Sequence, residues 1–526
     1  MQPLSKLGEY EEIKNRIEKN RGILQLAGCI DSQKAHVIYG LGQEKKNRLV
    51  IAENELKAKE LYEDLKFYYP DVFYYPARDL IFFEADIHGN LLTKQRMQVI
   101  AALLEKKSVT VVTSISGCMD YLLPISVLKK HVLHFKNDSV LDTEALKKDL
   151  INMGFEYNAQ AETPGQFAMR GGIVDIFLLT EENPVRIEMW GDEIDSIRSF
   201  DAESQRSIEN LDRIRIYPAG EFIADDGRIK KGLAVLEKEA KRLADQFFQE
   251  RKTEESARLK AFAEEVKQSL TQWKQMSVLD GLAPYFYDRM VSFAEYFPKE
   301  ALVVLDEPNR LWEEAQAIEK EFRESMTNRL EKGYVLPGQM NLLCESQMAS
   351  EKLQKHRCMG LCMLEAAGPQ WHFAEHFSID VRSVNTYNNS FELLVKDLIQ
   401  YKSQGYRIAL LSGSRTRAER LAKDLSEEGL NAFYSQDMDR IISPGEIMVV
   451  YGHARRGFQY PLIKFAVMTE TDIFGKEQKK RKKKKKYSGN RIQDFAELSI
   501  GDLVVHEKHG LGIYRGIEKV EVDRVV

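Results

Sequence analysis

The first 118 residues alternate short apolar runs with amphipathic stretches. The apolar runs lie at residues 36–39, 48–52, 72–75 and 109–113 and have the length of buried strands. Residues 54–65 and 91–104 have the helical spacing of apolar positions. Strands that alternate with helices predict a parallel sheet with helices on both faces. We therefore predict an α/β domain over residues 1–118, to which residues 217–345 return after an insertion.

Residues 119–216 follow a different pattern, in which short strands are joined by brief turns. Apolar positions at 173–177, 185–190 and 194–200 are separated by a polar turn and by Gly191-Asp192. This pattern predicts a small antiparallel β-rich domain inserted into the α/β domain.

Arg170, Arg186 and Trp190 lie among these predicted strands. Arginine and tryptophan on a sheet face suit the binding of a partner protein. The alternative is an ordinary sheet in which both arginines are solvated and the tryptophan is packed. The pattern alone favours this alternative, because exposed arginines are common.

Residues 346–470 are predicted to be a second, small α/β domain. Its helices are expected at 390–404 and 414–428, and its strands at 407–411, 432–434, 447–450 and 465–468. Arg415, Arg417 and Arg420 line the start of the second helix, where a solvated helix face is favoured over a phosphate contact. Before this domain, residues 231–276 show long helical periodicity with many charge pairs at i, i+4 spacing.

The last 56 residues begin with a block of like charge. From Lys476 to Lys486 the chain has nine basic residues and one acid, Glu477, which predicts a basic, disordered linker over 471–494. Glycines then punctuate short strands at 503–505 and 513–514, as in the start of a small twisted β-barrel over 495–526. His506 and His509 have no third metal ligand near them, so a metal site is not favoured.

Composition restricts the classes of function. The net charge is −5, so the chain outside the +8 run carries −5 − 8 = −13, which argues against wholesale DNA clamping. We find no signal peptide and no run of transmembrane length. Five scattered cysteines fit a reducing cytoplasm. Cys358 and Cys362, with His356 nearby, form only a weak metal pattern, and ordinary thiols are favoured.

A degenerate phosphate loop is predicted after the first apolar run. Laid on G-x-x-x-x-G-K-[ST], the sequence fits at Gly40 and Lys46, with Gly42 as a further glycine. Lys45 replaces the second glycine of the motif, and Asn47 replaces the hydroxyl residue that holds magnesium. We therefore expect a P-loop fold that has lost its nucleotide.

The segment 301–307 has the form of a Walker B strand that ends in Asp306 and Glu307. In an active nucleotide hydrolase such a pair would orient magnesium and activate water. Without a working phosphate loop, the favoured interpretation is a strand end before Pro308. We predict no catalytic residue in this chain.

Three stretches of sequence resemble known proteins. R-G-G-x-V-D-I-F at 170–177, followed by V-R-I-E-x-x-G-D-E-I-D-S-I-R at 185–198, resembles the second domain of the excision-repair protein UvrB. It resembles still more closely the matching domain of the transcription-repair coupling factor family (Mfd). Residues 73–123 follow the UvrB order of segments but lack room for UvrB's long aromatic hairpin. G-D-x-V-V-H-x-x-H-G-x-G-x-Y-x-G-I at 501–517 resembles the Tudor-like polymerase-interacting domain of CarD-type regulators and of the same family.

The resemblance implies a multidomain α/β fold. It consists of a degenerate P-loop (RecA-like, UvrB-like) domain with the inserted β-rich domain, the second small α/β domain, and a truncated Tudor-like β-barrel. By the resemblance, Arg170 and Arg186 would contact carboxylates of UvrA, and Trp190 would anchor the interface. Ile517 and Val520 are positions at the edge expected to pair with the RNA polymerase β subunit.

The function implied is that of a bacterial, cytoplasmic factor for transcription-coupled nucleotide-excision repair, which recruits UvrA to stalled RNA polymerase. The parent protein would be an ATP-dependent translocase on double-stranded DNA, and ATP and Mg²⁺ would serve a motor that this chain lacks. The lysine run would add at most non-specific DNA contact. The alternatives are a UvrB-like damage-binding ATPase or helicase and a free-standing CarD-like regulator.

Overall fold

The structure, a computed structural model, describes residues 3–19, 22–78, 80, 89–438, 440–475, 503–506 and 510–513. The first stretch contains, in chain order, α1 (Tyr10–Lys19), β1 (Ile23–Ala27), α2 (Asp31–Gly42), β2 (Asn47–Ala52), α3 (Glu55–Leu65), β3 (Val72–Tyr75), α4 (Gly89–Glu105), β4 (Val109–Ser114), α5 (Ile115–Met119) and β5 (Tyr121–Leu122). The predicted strand at 36–39 is wrong, because these residues belong to α2. Both faces of α2 are buried, so its apolar run has no amphipathic pattern to distinguish it from a strand.

The insertion and the part of the chain that follows it both contain helices as well as strands. The insertion contains α6 (Ile125–Lys130), β6 (Leu133–Lys136), α7 (Thr143–Asn152), β7 (Glu156–Tyr157), β8 (Gln166–Arg170), β9 (Ile173–Ile176), β10 (Val185–Trp190), β11 (Glu193–Phe200), β12 (Ser207–Leu211) and β13 (Arg213–Ile216). The chain then forms α8 (Asp226–Gln249), α9 (Thr253–Thr271), α10 (Ala283–Phe286), β14 (Val291–Ser292), β15 (Leu302–Asp306), α11 (Pro308–Glu331), α12 (Ser346–Leu353), β16 (Arg357–Leu361) and β17 (Phe373–Ser378). The helical periodicity predicted over 231–276 is thus divided between α8 and α9.

A seven-stranded sheet in the order β17-β1-β16-β15-β2-β4-β3 organises the first domain, and all its neighbouring strands are parallel. Alternate residues of one strand enter two separate cores: Val303 and Leu305 face one, and Leu302 and Val304 face the other. Burial on both faces is what the near-continuous apolar strands predict.

The predicted domain boundary at residue 345 is too early. β16 and β17 flank β1 in the sheet, where Ile23 pairs with both Cys358 and Phe373. The first domain therefore takes its strands from residues as far along the chain as Ser378. The short β16 contains Gly360, and β17 reads FAEHFS, half of it polar, so neither has the sequence of a typical core strand.

A buried ionic network holds both ends of the insertion on the first domain. The Arg96 side chain is fully buried, and its guanidinium lies 2.7 Å from Asp120 Oδ2 and 2.9 Å from Glu221 Oε2. Asp120 lies before α6, the first element of the insertion, and Glu221 lies after β13, its last strand. A buried arginine is retained only where carboxylates pair with it, so the network fixes the insertion to α4.

The second α/β domain contains β18 (Arg382–Ser383), α13 (Phe391–Ser403), β19 (Arg407–Ser412), α14 (Arg415–Glu427), β20 (Asn431–Ser435), β21 (Glu446–Tyr451), β22 (Phe458–Tyr460), β23 (Phe465–Thr469) and α15 (Glu470–Phe474). Its six strands have the order β18-β22-β23-β19-β21-β20. One face packs against α2 and α3, where His36 Nδ1 lies 3.0 Å from the Tyr460 hydroxyl and Arg455 Nε lies 2.9 Å from Asp64 Oδ2. The predicted helices and strands of this domain agree with the structure to within one or two residues.

The described residues after Gly475 belong to a second unit of the chain. Its described part is an antiparallel pair, β24 (Leu503–His506) with β25 (Gly510–Ile513). Among the described helices, none combines the length and the apolar composition that crossing a bilayer requires.

Candidate functional site

Two tight hairpins bring the predicted partner-binding residues to one end of the inserted sheet. The sheet has the order β12-β11-β10-β9-β8-β7; β8 to β12 pair with one another in antiparallel fashion, and β7 is parallel to β8. Gly171-Gly172 joins β8 to β9, and Gly191-Asp192 joins β10 to β11. Since β8 and β10 run in the same direction, both turns lie at the same end of the sheet. Gly171 and Gly191 have φ of +57° and +63°, the conformation that two-residue hairpin turns require.

Strand alternation determines which side chains face outward. Along β10, Val185 and Ile187 belong to the domain's hydrophobic core, and Arg186, Glu188 and Trp190 therefore point to the opposite face. The same alternation places Arg170 of β8, Asp175 of β9 and Arg198 of β11 on that face. We refer to these six residues (Arg170, Asp175, Arg186, Glu188, Trp190 and Arg198) as the outer face.

Trp190 and Arg170 are the last residues of β10 and β8, next to the two turns. Trp190 is 86% exposed, so the interpretation of a packed tryptophan is wrong. Arg170 is also exposed, and its Nε donates a hydrogen bond to the carbonyl of Ala159 at 3.0 Å. An indole that reaches solvent at a fixed hairpin end is a feature of protein-binding surfaces.

Arg186 is held on three sides. Its Nε and Nη2 donate to the two carboxylate oxygens of Asp175 at 2.6 and 2.8 Å, and Nη2 also donates to Gln205 Oε1 at 2.9 Å. The guanidinium carbon lies 4.4 Å from the centre of the Phe200 ring. The hydrogen bonds that Arg186 donates to Asp175 raise the pKa of Arg186, although burial opposes this. Arg186 is therefore half-buried and ordered, and the interpretation of a solvated arginine is wrong for it.

A second ion pair lies beside the first. Arg198 stands directly across from Arg186 on β11, and its guanidinium pairs with Glu188. Ser196 Oγ donates to the other Glu188 oxygen at 3.0 Å. Each of the two arginines in the middle of the outer face thus has a carboxylate partner, whereas Arg170 has none among the described residues.

A separate ionic cluster lies at the carboxyl edge of the seven-stranded sheet. Lys34, in the first turn of α2, has a fully buried side chain. Its Nζ lies 2.6 Å from Asp306 Oδ1, 3.0 Å from Glu307 Oε1 and 3.0 Å from Asp31 Oδ1. Asp306 and Glu307 therefore do more than end a strand, which was the favoured interpretation of their sequence.

The charge states follow from these contacts. Burial disfavours the ammonium group, but the carboxylates of Asp306 and Glu307 outweigh it and raise the pKa of Lys34. Partial burial opposes ionisation of Asp31, but hydrogen bonds and charge from Lys57 and Lys34 lower its pKa to about 2. The Lys57 ammonium lies 2.7 Å from Asp31 Oδ2. The cluster is consequently a closed set of ion pairs.

The backbone around Lys34 is that of a strand, a tight turn and a helix. Gly28 follows β1 with φ of +80°, and a Cβ there would lie 2.2 Å from the carbonyl oxygen of Ile379. The N–H of Gly28 donates to the carbonyl of Met363 at 3.3 Å, and that of Cys29 donates to the carbonyl of Cys362 at 2.9 Å. Both amides are thus used within the protein.

Sequence reasoning missed Lys34 although its spacing carried a signal. Between Gly28 and Ala35 the chain reads G-C-I-D-S-Q-K-A, which fits G-x-x-x-x-G-K-[ST] at Gly28 and Lys34. Because residues 36–39 were predicted to be a strand, the phosphate loop was predicted after them, at the other end of α2. There, Gly40 and Gly42 lie in the last turn of α2, Lys45 pairs with Glu18, and Asn47 begins β2 with Lys46 before it.

The remaining predicted candidates form no site in the described part of the chain. All five cysteines are buried free thiols, both ring nitrogens of His356 lie 3.3 Å from backbone carbonyl oxygens, and the described residues contain no group of three or more potential metal ligands. Arg417 pairs with Glu470 at 3.4 Å on the exposed start of α14. The positions Ile517, Val520 and His509, and the run from Lys476 to Lys486, lie outside the described residues.

Two domain families match parts of the chain. A family model described as "UvrB interaction domain" matches residues 133–222, which contain the outer face. A model described as "CarD-like/TRCF RID domain" matches residues 498–526.

Several whole proteins similar to the chain are named Transcription-repair-coupling factor. The Transcription-repair-coupling factor of Bacillus subtilis is 29% identical over 523 residues, which is 98% of this chain and 44% of that protein. The proteins of the same name from Staphylococcus epidermidis and Staphylococcus haemolyticus are each 28% identical, over 91% and 92% of the chain and 40% and 41% of their own lengths. The chain thus spans less than half the length of the curated relatives that it matches. The two domain matches and the similarity along nearly the whole chain confirm the predicted resemblance: this chain is similar to the transcription-repair coupling factors.

Proposed function

We propose that this chain acts as an adaptor in bacterial transcription-coupled nucleotide-excision repair, recruiting UvrA to stalled RNA polymerase. The observation that carries the proposal is the nearly complete exposure of Trp190 at the end of β10, on the same sheet face as Arg170 and Arg186. The match of residues 133–222 to a UvrB interaction domain supports the same surface. Trp190 would enter an apolar pocket of UvrA, and Arg170 and Arg186 would meet carboxylates around it.

Arg170 provides the cleanest test of this surface. Its side chain is exposed and has no carboxylate partner among the described residues, so Arg170→Glu reverses a charge without breaking an ion pair. We expect the variant to lose UvrA binding in a titration and to keep its unfolding temperature. Arg213→Glu is the matched control, since Arg213 is exposed in the same domain but lies on β13, outside this sheet. Equal UvrA affinity of Arg170→Glu and Arg213→Glu would overturn the proposal.

Arg186 needs a different treatment from Arg170. Charge reversal there would place a carboxylate against Asp175 in a partly buried site, so lost UvrA binding would not distinguish a broken interface from a disturbed fold. Charge reversal at Arg186 is therefore expected to disturb the fold as well as the interface.

The polymerase contact belongs to the same proposal. Residues 498–526 match a CarD-like/TRCF RID domain, and we place the RNA polymerase β subunit along the strand edge near Ile517 and Val520, by strand addition. ATP-dependent translocation on double-stranded DNA, with its ATP and Mg²⁺, is proposed for the longer parent protein and not for these residues. Ile517→Lys is expected to weaken polymerase capture without changing UvrA affinity, and unchanged capture would remove this contact.

We further propose that the first domain is a P-loop domain in which the groups that would bind a nucleotide are bonded to other groups of the protein. Gln33 and Ala35 stand where the phosphate-loop motif has its second glycine and its magnesium-holding hydroxyl. Phosphate cradles depend on free backbone amides, whereas those of Gly28 and Cys29 are bonded to carbonyls, and Lys34 is bonded to carboxylates. No saturable binding is expected when ATP and Mg²⁺ are titrated into the protein. Tight, magnesium-dependent binding would instead favour the UvrB-like ATPase alternative.

A further inference from the structure

Asp175 has a place in the sheet that its charge alone does not explain. It lies directly opposite Arg186 in the register of β9 and β10, is buried to 7% exposure, and accepts two hydrogen bonds from that one guanidinium. A carboxylate here cancels positive charge on a surface that is proposed to receive an acidic partner. The presence of Asp175 on this surface must therefore have a role other than its charge.

The contacts of Arg186 indicate what that role is. Asp175 accepts hydrogen bonds from Nε and Nη2 of Arg186, and Gln205 accepts a second hydrogen bond from Nη2. The Phe200 ring lies against one face of the guanidinium. Among the described residues, Nη1 has no hydrogen-bond acceptor. The side chain is thus fixed so that a single edge, carrying Nη1, remains available on the outer face.

Gln205 is itself held in place. It has a left-handed backbone conformation with φ of +59°, its N–H donates to the Asp201 carbonyl at 2.8 Å, and its Nε2 donates to the Ala202 carbonyl at 2.8 Å. The side-chain nitrogen of Gln205 thus bonds to its own loop, and its side-chain oxygen is left to accept from Arg186. A strained loop residue with these contacts is expected to hold that arginine in place.

We propose that Asp175 and Gln205 are positioning residues of the UvrA interface, which orient the Nη1 edge of Arg186 toward a carboxylate of the partner. The inference rests on the proposed function. Fixing the guanidinium before association removes the entropy loss that a free arginine side chain would suffer on binding. The affinity gained by this order exceeds the attraction lost to the negative charge of Asp175.

The sign of one substitution separates positioning from charge. Asp175→Asn removes a negative charge next to the binding arginine. If only electrostatics mattered, affinity for an acidic partner would rise; if orientation matters, affinity falls, by roughly threefold to tenfold, because one charge-assisted hydrogen bond is lost and the arginine regains freedom. Glu188→Gln is the matched control, since it makes the same charge change on the same face at the pair with Arg198.

The experiment is a titration of each full-length variant with UvrA, together with its thermal unfolding. We expect weaker binding for Asp175→Asn, equal or tighter binding for Glu188→Gln, and weaker binding for Gln205→Ala, which changes an exposed loop side chain and keeps the fold if Asp175→Asn does not. In an Arg186→Lys background, where the two-pronged pair cannot form, Asp175→Asn should change affinity less than twofold. Binding by Asp175→Asn and Gln205→Ala as tight as that of the wild type, while Arg170→Glu still abolishes it, would overturn the positioning role and leave the proposed function standing. Unchanged binding by Arg170→Glu would remove both.

Discussion

Truncating Trp190 should separate binding from folding more completely than any other substitution in this chain. A large aromatic side chain buries about 150–250 Å² when it is fully enclosed. With 86% of it exposed in the free protein, roughly 130–215 Å² is left to be covered by a partner. At about 25 cal/mol per Å² this corresponds to about 3–5 kcal/mol, and truncation at interface hot spots typically costs about 2–4 kcal/mol. We therefore expect Trp190→Ala to raise the Kd for UvrA by roughly 30-fold to 1,000-fold.

The assay is isothermal titration of UvrA into the wild type, Trp190→Ala and Trp273→Ala. Trp273 is the matched control, because it is also well exposed, at 58%, but lies outside the matched domain at 133–222. The unfolding free energy of Trp190→Ala should stay within about 0.5 kcal/mol of the wild type, since little of the indole contacts the protein. An unchanged Kd, or an equal loss in the Trp273 variant, would refute the assignment of this surface.

Three further substitutions test the structure away from that surface. Lys34→Met should destabilise the protein by about 3–5 kcal/mol in urea unfolding, because it leaves the buried carboxylate of Asp306 without its cation, and a loss below about 1 kcal/mol would contradict the closed cluster. Burial lowers the pKa of His36 from 6.5 to about 3, so as the pH falls below 6.5 the unfolded chain takes up a proton at His36, while the folded protein does not until about pH 3. The unfolding free energy should therefore fall by up to about 1.4 kcal/mol per pH unit between these two values, and His36→Gln should lack this dependence. Parallel pH profiles of the wild type and His36→Gln would refute the prediction. Gly28→Ala should be far more destabilising than Gly429→Ala, because both glycines have φ near +80° but only at Gly28 would the new methyl group clash with a backbone carbonyl; equal losses of unfolding temperature would show that the turn after β1 can relax.

The parts of the fold that the sequence predicted are those whose signals are local. β10 was predicted at its observed bounds, Val185–Trp190, because residues facing the core alternate with outward ones and a Gly-Asp turn follows. The helices and strands of the second α/β domain were similarly clear. Here the hydrophobic pattern, the turn residues and the final structure agree.

The parts that it did not predict depend on residues far apart in the chain. Lys34 meets Asp306 only because β1 and β15 share a sheet, and no local pattern announces an ion pair of that span. The α2 segment is buried on most of its circumference because helices of the first domain and a sheet of the second enclose it, so its apolar run at 36–39 matched a strand. The extent of Trp190 exposure was not predicted, since alternation along β10 gives its face of the sheet but not whether another part of the chain covers that face.

The placement of β1 between β16 and β17 has a consequence for synthesis of the protein on the ribosome. Ile23 of β1 pairs with Cys358 of β16, so roughly 330 more residues must be synthesised before β1 can pair with this neighbouring strand. At about 5–20 residues per second, this takes roughly 20–70 s, during which Ile23–Ala27 and the apolar side chains of α2 have no sheet to cover them. The inserted sheet, by contrast, draws β7 through β12 from one continuous stretch and has all its strands soon after they emerge. The inserted sheet, with the surface proposed to meet UvrA, could thus fold in the nascent chain before the first α/β domain is complete. Chaperones that bind during translation should therefore concentrate on the first 120 residues.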